Sequence, residues 1–394
     1  MNAITQTASS SDGVHFYYKH KPMRKYNTVI LGAAGSGKTV YLSALYRKLS
    51  TPSEVGYFLD APLPQQKRLR FAYNSLTAAW PPPTALADTD VFEFDITVKS
   101  PSGNQHAVTL CYCDMSGERL TEDTGDPEIE EATAGIFEIA DILLGFIDGE
   151  KLCKQLSGGA ADEMFWMHEM QALCEQMTKY DGKDKSIHFV VTKWDCFEAC
   201  DDSLRKVRDA LLAFPAFHNV VANCTGTVRL IPVSSVGREY AAILNGTAAR
   251  SNGTLPTPLH VEVPFACVLP DMIHREMKAA QAALEQRARE LNRPVLAKLE
   301  PWEIFGNWAG RFIHRFLEER NIDGGIFAWF AKFSSRSAQL KLLNAEQLQE
   351  QNQAEAQRLK TLVSDQETAA QFVMQSMATT ESAFAMAYPS SKLN

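Results

Sequence analysis

The sequence feature that most constrains the fold of this chain is the glycine-rich stretch Gly32–Thr39, GAAGSGKT. It follows Thr28–Leu31, whose β-branched and aliphatic residues have the composition of a buried strand. Apolar residues then recur at helical spacing, at Val40, Leu42, Leu45 and Leu49. A glycine-rich turn between a strand and a helix can be purely structural. The complete G-x-x-x-x-G-K-[ST] pattern in this setting instead predicts a phosphate-binding loop.

Each position of this loop has a chemical reason. Glycines at 32, 35 and 37 allow successive backbone N–H groups to curve around phosphate oxygens, and the following helix adds its N-terminal dipole. The pattern predicts that Lys38 reaches the β- and γ-phosphates, as a catalytic residue, and that the Thr39 hydroxyl binds Mg²⁺. The predicted nucleotide contacts of the loop are Gly32, Ala33, Ala34, Gly35, Ser36, Gly37, Lys38, Thr39 and Val40.

A second candidate site follows a predicted hairpin. Val91–Lys99 alternates apolar and polar residues, and a short turn separates it from the apolar Ala107–Cys113. The second strand ends at Asp114-Met-Ser-Gly117-Glu118. An Asp at the tip of a buried strand can hold Mg²⁺ through water, and a Gly three residues later can offer its N–H to a γ-phosphate. We therefore predict Asp114 as a metal ligand and Gly117 as a nucleotide contact.

Three later segments also have the composition of buried strands. Ala140–Asp148 is an apolar run that ends in Asp-Gly. His188–Val191 leads into Thr192-Lys193-Trp194-Asp195, and Arg229–Val233 leads into Ser234-Ser235-Val236-Gly237. Strands that each end in a polar or glycine-rich stretch, with helical segments between them, predict an α/β fold.

These stretches, in this order, resemble the P-loop GTPases of the translation-factor and small-GTPase class. GAAGSGKT is similar to their phosphate loop, DMSG to their D-x-x-G, TKWD to their [NT]-K-x-D guanine motif and SSVG to their last base-contacting motif. The resemblance covers residues 25–240, and its wide motif spacing predicts expanded loops. It implies a three-layer α/β/α sandwich with a mainly parallel sheet, GTP or GDP as the ligand, and Mg²⁺.

The resemblance also implies how the base is recognised. Asp195 would accept hydrogen bonds from guanine N1–H and the 2-amino group, donors that ATP cannot supply. Lys193 would lie along the base, and Ser235 would contribute through its backbone. Thr192 and Ser234 complete the predicted nucleotide-binding set.

A narrower resemblance rests on GAAGSGKTVYLSALY, on the WPPPT stretch at residues 80–84 and on the Glu that follows D-x-x-G. These are most similar to the bacterial double-GTPase-like families. Such proteins are often encoded beside components of bacterial conflict and defence systems, which implies a role in a multi-component system.

Glu118 departs from the small-GTPase pattern, which usually has Gln at this position to orient the attacking water. An ionised carboxylate cannot donate to the γ-phosphate and repels it, so we expect slow intrinsic hydrolysis, relieved by a partner or by dimerisation. A solvated switch residue without a catalytic role is the alternative.

The threonine that senses Mg²⁺ in the first switch is ambiguous, since four threonines compete: Thr51, Thr77, Thr84 and Thr89. We predict Thr84, as a catalytic and metal-binding residue, because Trp80-Pro-Pro-Pro makes a stiff, extended approach to it. A rigid surface loop without nucleotide contact is equally compatible with this composition.

Composition excludes several classes of protein. With 394 residues, 45% hydrophobic and 22% charged, the chain is an ordinary globular protein rather than a disordered one. A net charge of −8 argues against direct nucleic-acid binding. There is no signal-peptide pattern and no run of about 18 apolar residues, so we expect a cytoplasmic protein. Eight cysteines without a C-x-x-C pair predict reduced thiols, with a metal pair at Cys196 and Cys200 as the minor alternative.

We predict three regions. Residues 1–24 form a polar tail, residues 25–292 a GTPase domain, and residues 293–394 a helical module with a polar, Gln-rich tail. Within the second region, Leu244–Pro258 has the composition of a loop and Pro264–Leu291 that of a long helix. From Gln339 to Gln375 there are nine glutamines, which predict an exposed helix or a segment that orders on binding.

Residues 300–335 carry two aromatic stripes at helical spacing: Trp302, Phe305, Trp308, Phe312 and Phe316, then Ile326, Trp329, Phe330 and Phe333. The surrounding region, residues 271–341, has 12 Lys/Arg against 9 Asp/Glu in an otherwise acidic chain. A helical hairpin packed on the GTPase domain explains this pattern, and a surface for protein partners is the functional alternative. Membrane contact fits less well, because glutamates interrupt the stripes.

Together these predictions describe a GTP-binding and GTP-hydrolysing switch that acts through a partner. The alternatives are a GTP-bound scaffold with little hydrolysis, a membrane-associating dynamin-like GTPase, and an ATPase or phosphotransferase that shares only the phosphate loop.

Overall fold

One seven-stranded sheet organises the part of the chain that the structure describes. The computed structural model describes residues 25–51, 55–76, 89–101, 103–115, 127–158, 164–180, 185–244, 247–250, 255–290, 354 and 360–394. The strands are β1 (Lys25–Gly32), β2 (Tyr57–Asp60), β3 (Thr89–Ser100), β4 (Gly103–Met115), β5 (Ile142–Ile147), β6 (Ser186–Val191) and β7 (Val228–Pro232). Their order across the sheet is β2-β3-β4-β1-β5-β6-β7.

The sheet is mainly parallel. The neighbours β4-β1, β1-β5, β5-β6 and β6-β7 run parallel, whereas β3 is antiparallel to both β2 and β4. Every residue of β5, β6 and β7 is buried, which requires cover on both faces and explains their near-continuous apolar sequences. The predicted α/β class with a mainly parallel sheet is therefore confirmed.

Nine α-helices accompany this sheet within the described residues. They are α1 (Lys38–Leu49), α2 (Leu63–Ser75), α3 (Pro127–Glu138), α4 (Gly149–Leu156), α5 (Gln171–Tyr180), α6 (Asp201–Ala213), α7 (Pro215–Asn223), α8 (Val263–Glu290) and α9 (Gln366–Ala387). The long helix predicted at Pro264–Leu291 is α8, which accommodates Pro270 in its interior. None of the described helices is long and apolar enough to cross a membrane.

The strand order places the carboxyl ends of five strands at one edge of the sheet. β1 lies in the centre, with β4 on one side and β5, β6 and β7 on the other. Because these five strands are parallel, their carboxyl ends share an edge, where open α/β sheets bind ligands. The strands end at this edge with Gly32, Met115, Ile147, Val191 and Pro232.

The predicted loop at Leu244–Pro258 is wrong for its first residues. β8 (Ala241–Leu244) pairs with β9 (Thr247–Arg250) as an antiparallel ladder, from Ala241 opposite Arg250 to Leu244 opposite Thr247. Asn245-Gly246 lies between the two strands in the sequence, and Asn-Gly between short strands is the strongest local hairpin signal.

The expectation of an exposed segment over Gln339–Gln375 is wrong for its last residues, from Ala369 onwards, whereas residues 361, 362 and 364–366 are exposed. Helix α9 starts at a capping box between Asp365 and Thr368 and buries Phe372, Val373 and Gln375, the last at 1% exposure. Ser376 donates a hydrogen bond to Val55 O at 2.6 Å. The boundary predicted at residues 292/293, the tail at 1–24 and the aromatic residues 300–335 lie outside the described residues. Helix α9, which lies C-terminal to that predicted boundary, packs against β3 and β4 of the seven-stranded sheet.

All eight cysteines are unpaired, as predicted, and four of them are buried: Cys111, Cys174, Cys224 and Cys267. Burial raises the pKa of Cys174 and of Cys196 to about 12, so these thiols stay protonated at neutral pH.

Candidate nucleotide-binding site

The loop between β1 and α1 adopts backbone conformations that glycine reaches more easily than other residues. Gly35 and Gly37 have φ values of 78° and 91°, in the left-handed region that residues with a Cβ rarely adopt. At Gly32 a Cβ would lie 2.7 Å from the Cβ of Phe146 and 2.8 Å from Ser36 Oγ. Helix α1 begins directly after Gly37, so its unpaired N–H groups and dipole face the loop.

Lys38 lies under this loop rather than in solvent. Its Nζ donates to Gly32 O at 2.7 Å and to Ala33 O at 3.3 Å, and the residue is 7% exposed. Burial lowers the pKa of Lys38, and the nearby Asp114 carboxylate partly opposes this change. The amine therefore holds the curvature of the loop and keeps a positive charge where the loop would receive phosphate oxygens.

Asp114 is a buried acid whose carboxylate oxygens accept no hydrogen bond from the described residues. It is the last residue but one of β4, lies next to Ile30 of β1 and is 1% exposed. Burial raises the pKa of Asp114 to about 6, and the Lys38 charge is the largest opposing influence. An unpaired buried carboxylate is costly, so a site of this kind favours a cation.

The donor atoms at this point fit Mg²⁺. Asp114 and Thr39 supply hard oxygen ligands, and Thr39 is close enough to favour the ionised form of Asp114. No group of three or more His, Cys, Asp or Glu side chains that could hold a metal ion occurs among the described residues. A Mg²⁺ ion held here would therefore take its other ligands from phosphate and water, as is usual in nucleotide sites.

Thr192 links the predicted base-binding motif to the phosphate loop. Its hydroxyl lies 2.7 Å from Ser36 O and 3.1 Å from Ile147 O, so it joins the ends of β5 and β6 to the loop after β1. A Cβ on Gly37 would be 3.7 Å from the Thr192 side chain. Thr192 thus contributes to the site by fixing two backbone segments.

Lys193 is held by two carboxylates that sequence reasoning missed. It has a φ of 50°, and its Nζ donates to Asp148 Oδ2 at 2.7 Å and to Glu150 Oε2 at 3.3 Å. These carboxylates raise the pKa of Lys193 although burial alone would lower it. Asp148 also caps α4 through the backbone N–H of Glu150. The Asp-Gly-Glu sequence after β5 was the available signal.

Asp195 is oriented by the last predicted motif. Ser234 Oγ donates to Asp195 Oδ1 at 2.5 Å and accepts from the Gly237 backbone N–H at 2.8 Å. Burial raises the pKa of Asp195, and the Ser234 hydrogen bond opposes it. Ser234 therefore acts through Asp195, while Ser235 lies beside it in the same loop at 9% exposure.

The structure brings the phosphate loop, Asp114, Thr192, Lys193, Asp195, Ser234 and Ser235 to one edge of the sheet. Thr84, Gly117 and Glu118 lie outside the described residues, and their roles stay predictions. Thr51 is described, but Thr77 is not.

Comparison with known proteins gives one family. Residues 29–223 match the model of the family described as Double-GTPase 2. The match extends from β1 to the end of α7, so it includes the phosphate loop, Asp114 and Asp195, and it ends before Ser234. No curated protein sequence matches the chain significantly.

Proposed function

Since the domain at residues 29–223 belongs to a double-GTPase-like family of P-loop GTPases, we propose that this chain is a Mg²⁺-dependent GTP-binding protein that hydrolyses GTP slowly and acts as a molecular switch. The observation that carries the proposal is the meeting of three features at one sheet edge. They are a phosphate loop, an unpartnered Asp114 and an Asp195 oriented by Ser234.

The chemistry follows from these residues. Backbone N–H groups of residues 32–39 bind the phosphates, and Lys38 offsets the negative charge on the β- and γ-oxygens. Thr39 and Asp114 would hold Mg²⁺, which neutralises further phosphate charge when bound. Hydrolysis is then in-line attack by water, in which catalysis is mainly positioning and charge neutralisation.

Guanine specificity depends on Asp195. A carboxylate in this partly buried position accepts hydrogen bonds from guanine N1–H and the 2-amino group. Adenine has no donor at N1 and no 2-amino group, so ATP would leave the carboxylate unpaired at a cost of about 1–3 kcal/mol. The Ser234 hydrogen bond keeps Asp195 in one orientation, which makes this discrimination sharper.

The finer parts of the proposal rest on the sequence. Glu118, in place of the usual Gln, supports a slow intrinsic rate, and Thr84 is the proposed switch threonine. The aromatic residues 300–335 are the proposed surface for a protein partner. The resemblance to double-GTPase-like families supports a role in a bacterial multi-component defence system, and the eight unpaired cysteines support a cytoplasmic location.

Calorimetric titration with GTP, GDP and ATP tests the guanine assignment. We expect both guanine nucleotides to bind at least 10-fold more tightly than ATP, and Asp195→Asn to remove most of that preference. Asp202→Asn is the matched control, because Asp202 is exposed and pairs only with Arg205 among the described residues. Equal affinities for GTP and ATP, or an Asp195→Asn variant that keeps its preference, would contradict the assignment.

Single-turnover hydrolysis tests the enzymatic part. Lys38→Ala should abolish GTP cleavage, whereas Lys48→Ala, on the same helix but paired with Glu262, should leave it unchanged. Tight GTP binding by the wild type without cleavage, with or without candidate partners, would favour the scaffold alternative. Liposome co-sedimentation that is lost on substitution of Trp308 and Phe312 would favour the membrane alternative.

A further inference from the structure

A small apolar cluster lies beside the nucleotide site, separate from the main core. Its members are Leu76, Val236 and Tyr240, which are 0%, 6% and 3% exposed, and Val40 and Tyr73 pack against them. They come from three parts of the chain: the start of α1, the C-terminal end of α2 and the base-binding loop after β7. The cluster therefore joins the loop after β7 to α1 and α2, which also pack against each other.

One buried hydrogen bond crosses this cluster. The Tyr240 hydroxyl donates to Leu76 O at 2.6 Å. Leu76 is the C-cap residue of α2, where carbonyls have no intrahelical partner and need another donor. Tyr240 supplies that donor from a segment 164 residues later in the chain.

Tyr240 is also connected through successive hydrogen bonds to Asp195, the residue proposed to bind guanine. Its backbone N–H donates to Gly237 O at 3.2 Å, and the Gly237 N–H donates to Ser234 Oγ at 2.8 Å. Ser234 Oγ in turn donates to Asp195 Oδ1 at 2.5 Å. A continuous series of hydrogen bonds therefore connects the Asp195 carboxylate to the C-terminal end of α2.

We propose that Tyr240 is a positioning residue of the nucleotide site, which fixes the base-binding loop against the end of α2 and slows nucleotide release. This inference rests on the proposed guanine-nucleotide binding. Release of a base requires the loop that carries Ser234 to move away from it. The buried Tyr240 bond anchors this loop to α2, next to Val40 and the phosphate loop, and so opposes that movement. The position of α2 and the occupancy of the site are therefore coupled.

The test is the release rate of a fluorescent N-methylanthraniloyl-GDP, chased with excess GDP, from wild type and from Tyr240→Phe. The variant keeps the ring and its packing but leaves Leu76 O without its donor. We expect release to be about 2- to 10-fold faster, the range that one net hydrogen bond supports. Tyr57→Phe is the matched control, since Tyr57 is equally buried and its hydroxyl has no hydrogen-bonding partner among the described residues.

A second measurement separates positioning from a purely structural role. Hydrogen–deuterium exchange of the backbone amides at residues 73–76 should slow when wild type binds GDP, and this response should be reduced in Tyr240→Phe. The unfolding midpoint of the nucleotide-free variant should be lower than that of the wild type, because Leu76 O loses its donor in that state too. Faster release together with an unchanged exchange response at residues 73–76 would overturn the positioning role.

The remaining outcomes distinguish the two proposals. Wild type that binds GDP while Tyr240→Phe releases it at the wild-type rate would overturn the inference and leave the proposed function intact. Wild type that binds no guanine nucleotide would overturn both.

Discussion

Two buried aspartates at opposite ends of the same sheet have opposite environments. Asp114 lies at the carboxyl end of β4, is 1% exposed, and accepts no hydrogen bond from the described residues. Asp271 lies on α8 near the amino ends of β6 and β7 and is 3% exposed. It accepts from Arg229 Nε and Nη2 at 2.7 and 2.6 Å, and His188 Nε2 lies 2.7 Å from its carboxylate.

The electrostatics of the two acids follow from these partners. Burial raises the pKa of Asp114 to about 6 because Lys38 offsets it only in part. Burial acts in the same direction on Asp271, but the Arg229 guanidinium holds the pKa of that carboxyl well below its usual range. Among the described residues, Asp271 therefore has partners that stabilise its ionised form, whereas Asp114 has mainly the nearby Lys38 charge. We call the end of the sheet near Asp271 the paired end and the end with Asp114 the open end.

The largest expected effect is the loss of stability when the ion pair of Asp271 is removed. Asp271→Asn should lower the free energy of unfolding by about 3–5 kcal/mol, because it leaves the buried Arg229 charge without its main partner. Urea denaturation of the nucleotide-free protein measures this loss. Asp202→Asn, at an exposed ion pair, should stay within about 0.5 kcal/mol of wild type. An Asp271→Asn variant as stable as that control would show that the network contributes nothing to the fold.

The second prediction concerns Asp114, where substitution should impair activity rather than stability. Asp114→Asn removes an acid with no hydrogen-bond donor among the described residues, and the Lys38 bonds to Gly32 O and Ala33 O remain. The nucleotide-free stability at pH 7 should therefore rise by about 1–3 kcal/mol, because the folded pKa of Asp114 is about 6 and lies above the unfolded value of about 3.9. Mg²⁺-dependent GTP hydrolysis should fall about 100-fold, or about 2.7 kcal/mol in activation free energy. The same urea titration and a turnover assay at several Mg²⁺ concentrations check both parts. A variant that loses stability but keeps its turnover would make Asp114 a structural residue.

The third prediction uses pH to weaken the paired end without a substitution. The folded pKa of Asp271 is depressed, so its contribution is complete above the unfolded value of about 3.9 and is lost as pH falls toward the folded pKa. At pH 3 the loss from this residue should be about 1 kcal/mol. The stability difference between wild type and Asp271→Asn, measured from pH 3 to 7, should be constant above pH 5 and smaller at pH 3. A stability difference that grew on acidification would contradict a depressed pKa for Asp271.

The open end could be predicted from sequence because its signals are local. The strand before Gly32, the helix after it and the β3–β4 hairpin that ends at Asp114 each depend on contiguous residues. Asp195 and the SSVG stretch were each predicted to contact the base, but the hydrogen bond between Ser234 and Asp195 was not predicted.

The paired end could not be predicted, because its members are far apart in the chain. His188, Arg229, Asp271 and Glu381 come from two strands and two helices, and nothing in the local pattern of any of them identifies the others. The same reason explains the error on α9. Its glutamine-rich sequence indicates exposure, whereas its burial depends on packing against strands some 260 residues earlier.

The smallest predicted effect concerns the outer member of the network, Glu381 of α9, which lies 2.9 Å from Arg229 Nη1 and has a side chain 20% exposed. Glu381→Gln alone should cost only about 0.5–1 kcal/mol, because water screens the pair and Asp271 still neutralises Arg229. In the Asp271→Asn background, Glu381 is the remaining carboxylate that pairs with Arg229 among the described residues. The same substitution should there cost about 1 kcal/mol more, a coupling that urea denaturation of the four proteins in a double-mutant cycle measures. Additive costs would mean that Arg229 is neutralised by Asp271 alone, and that α9 is held to the sheet by its apolar face rather than by this charge.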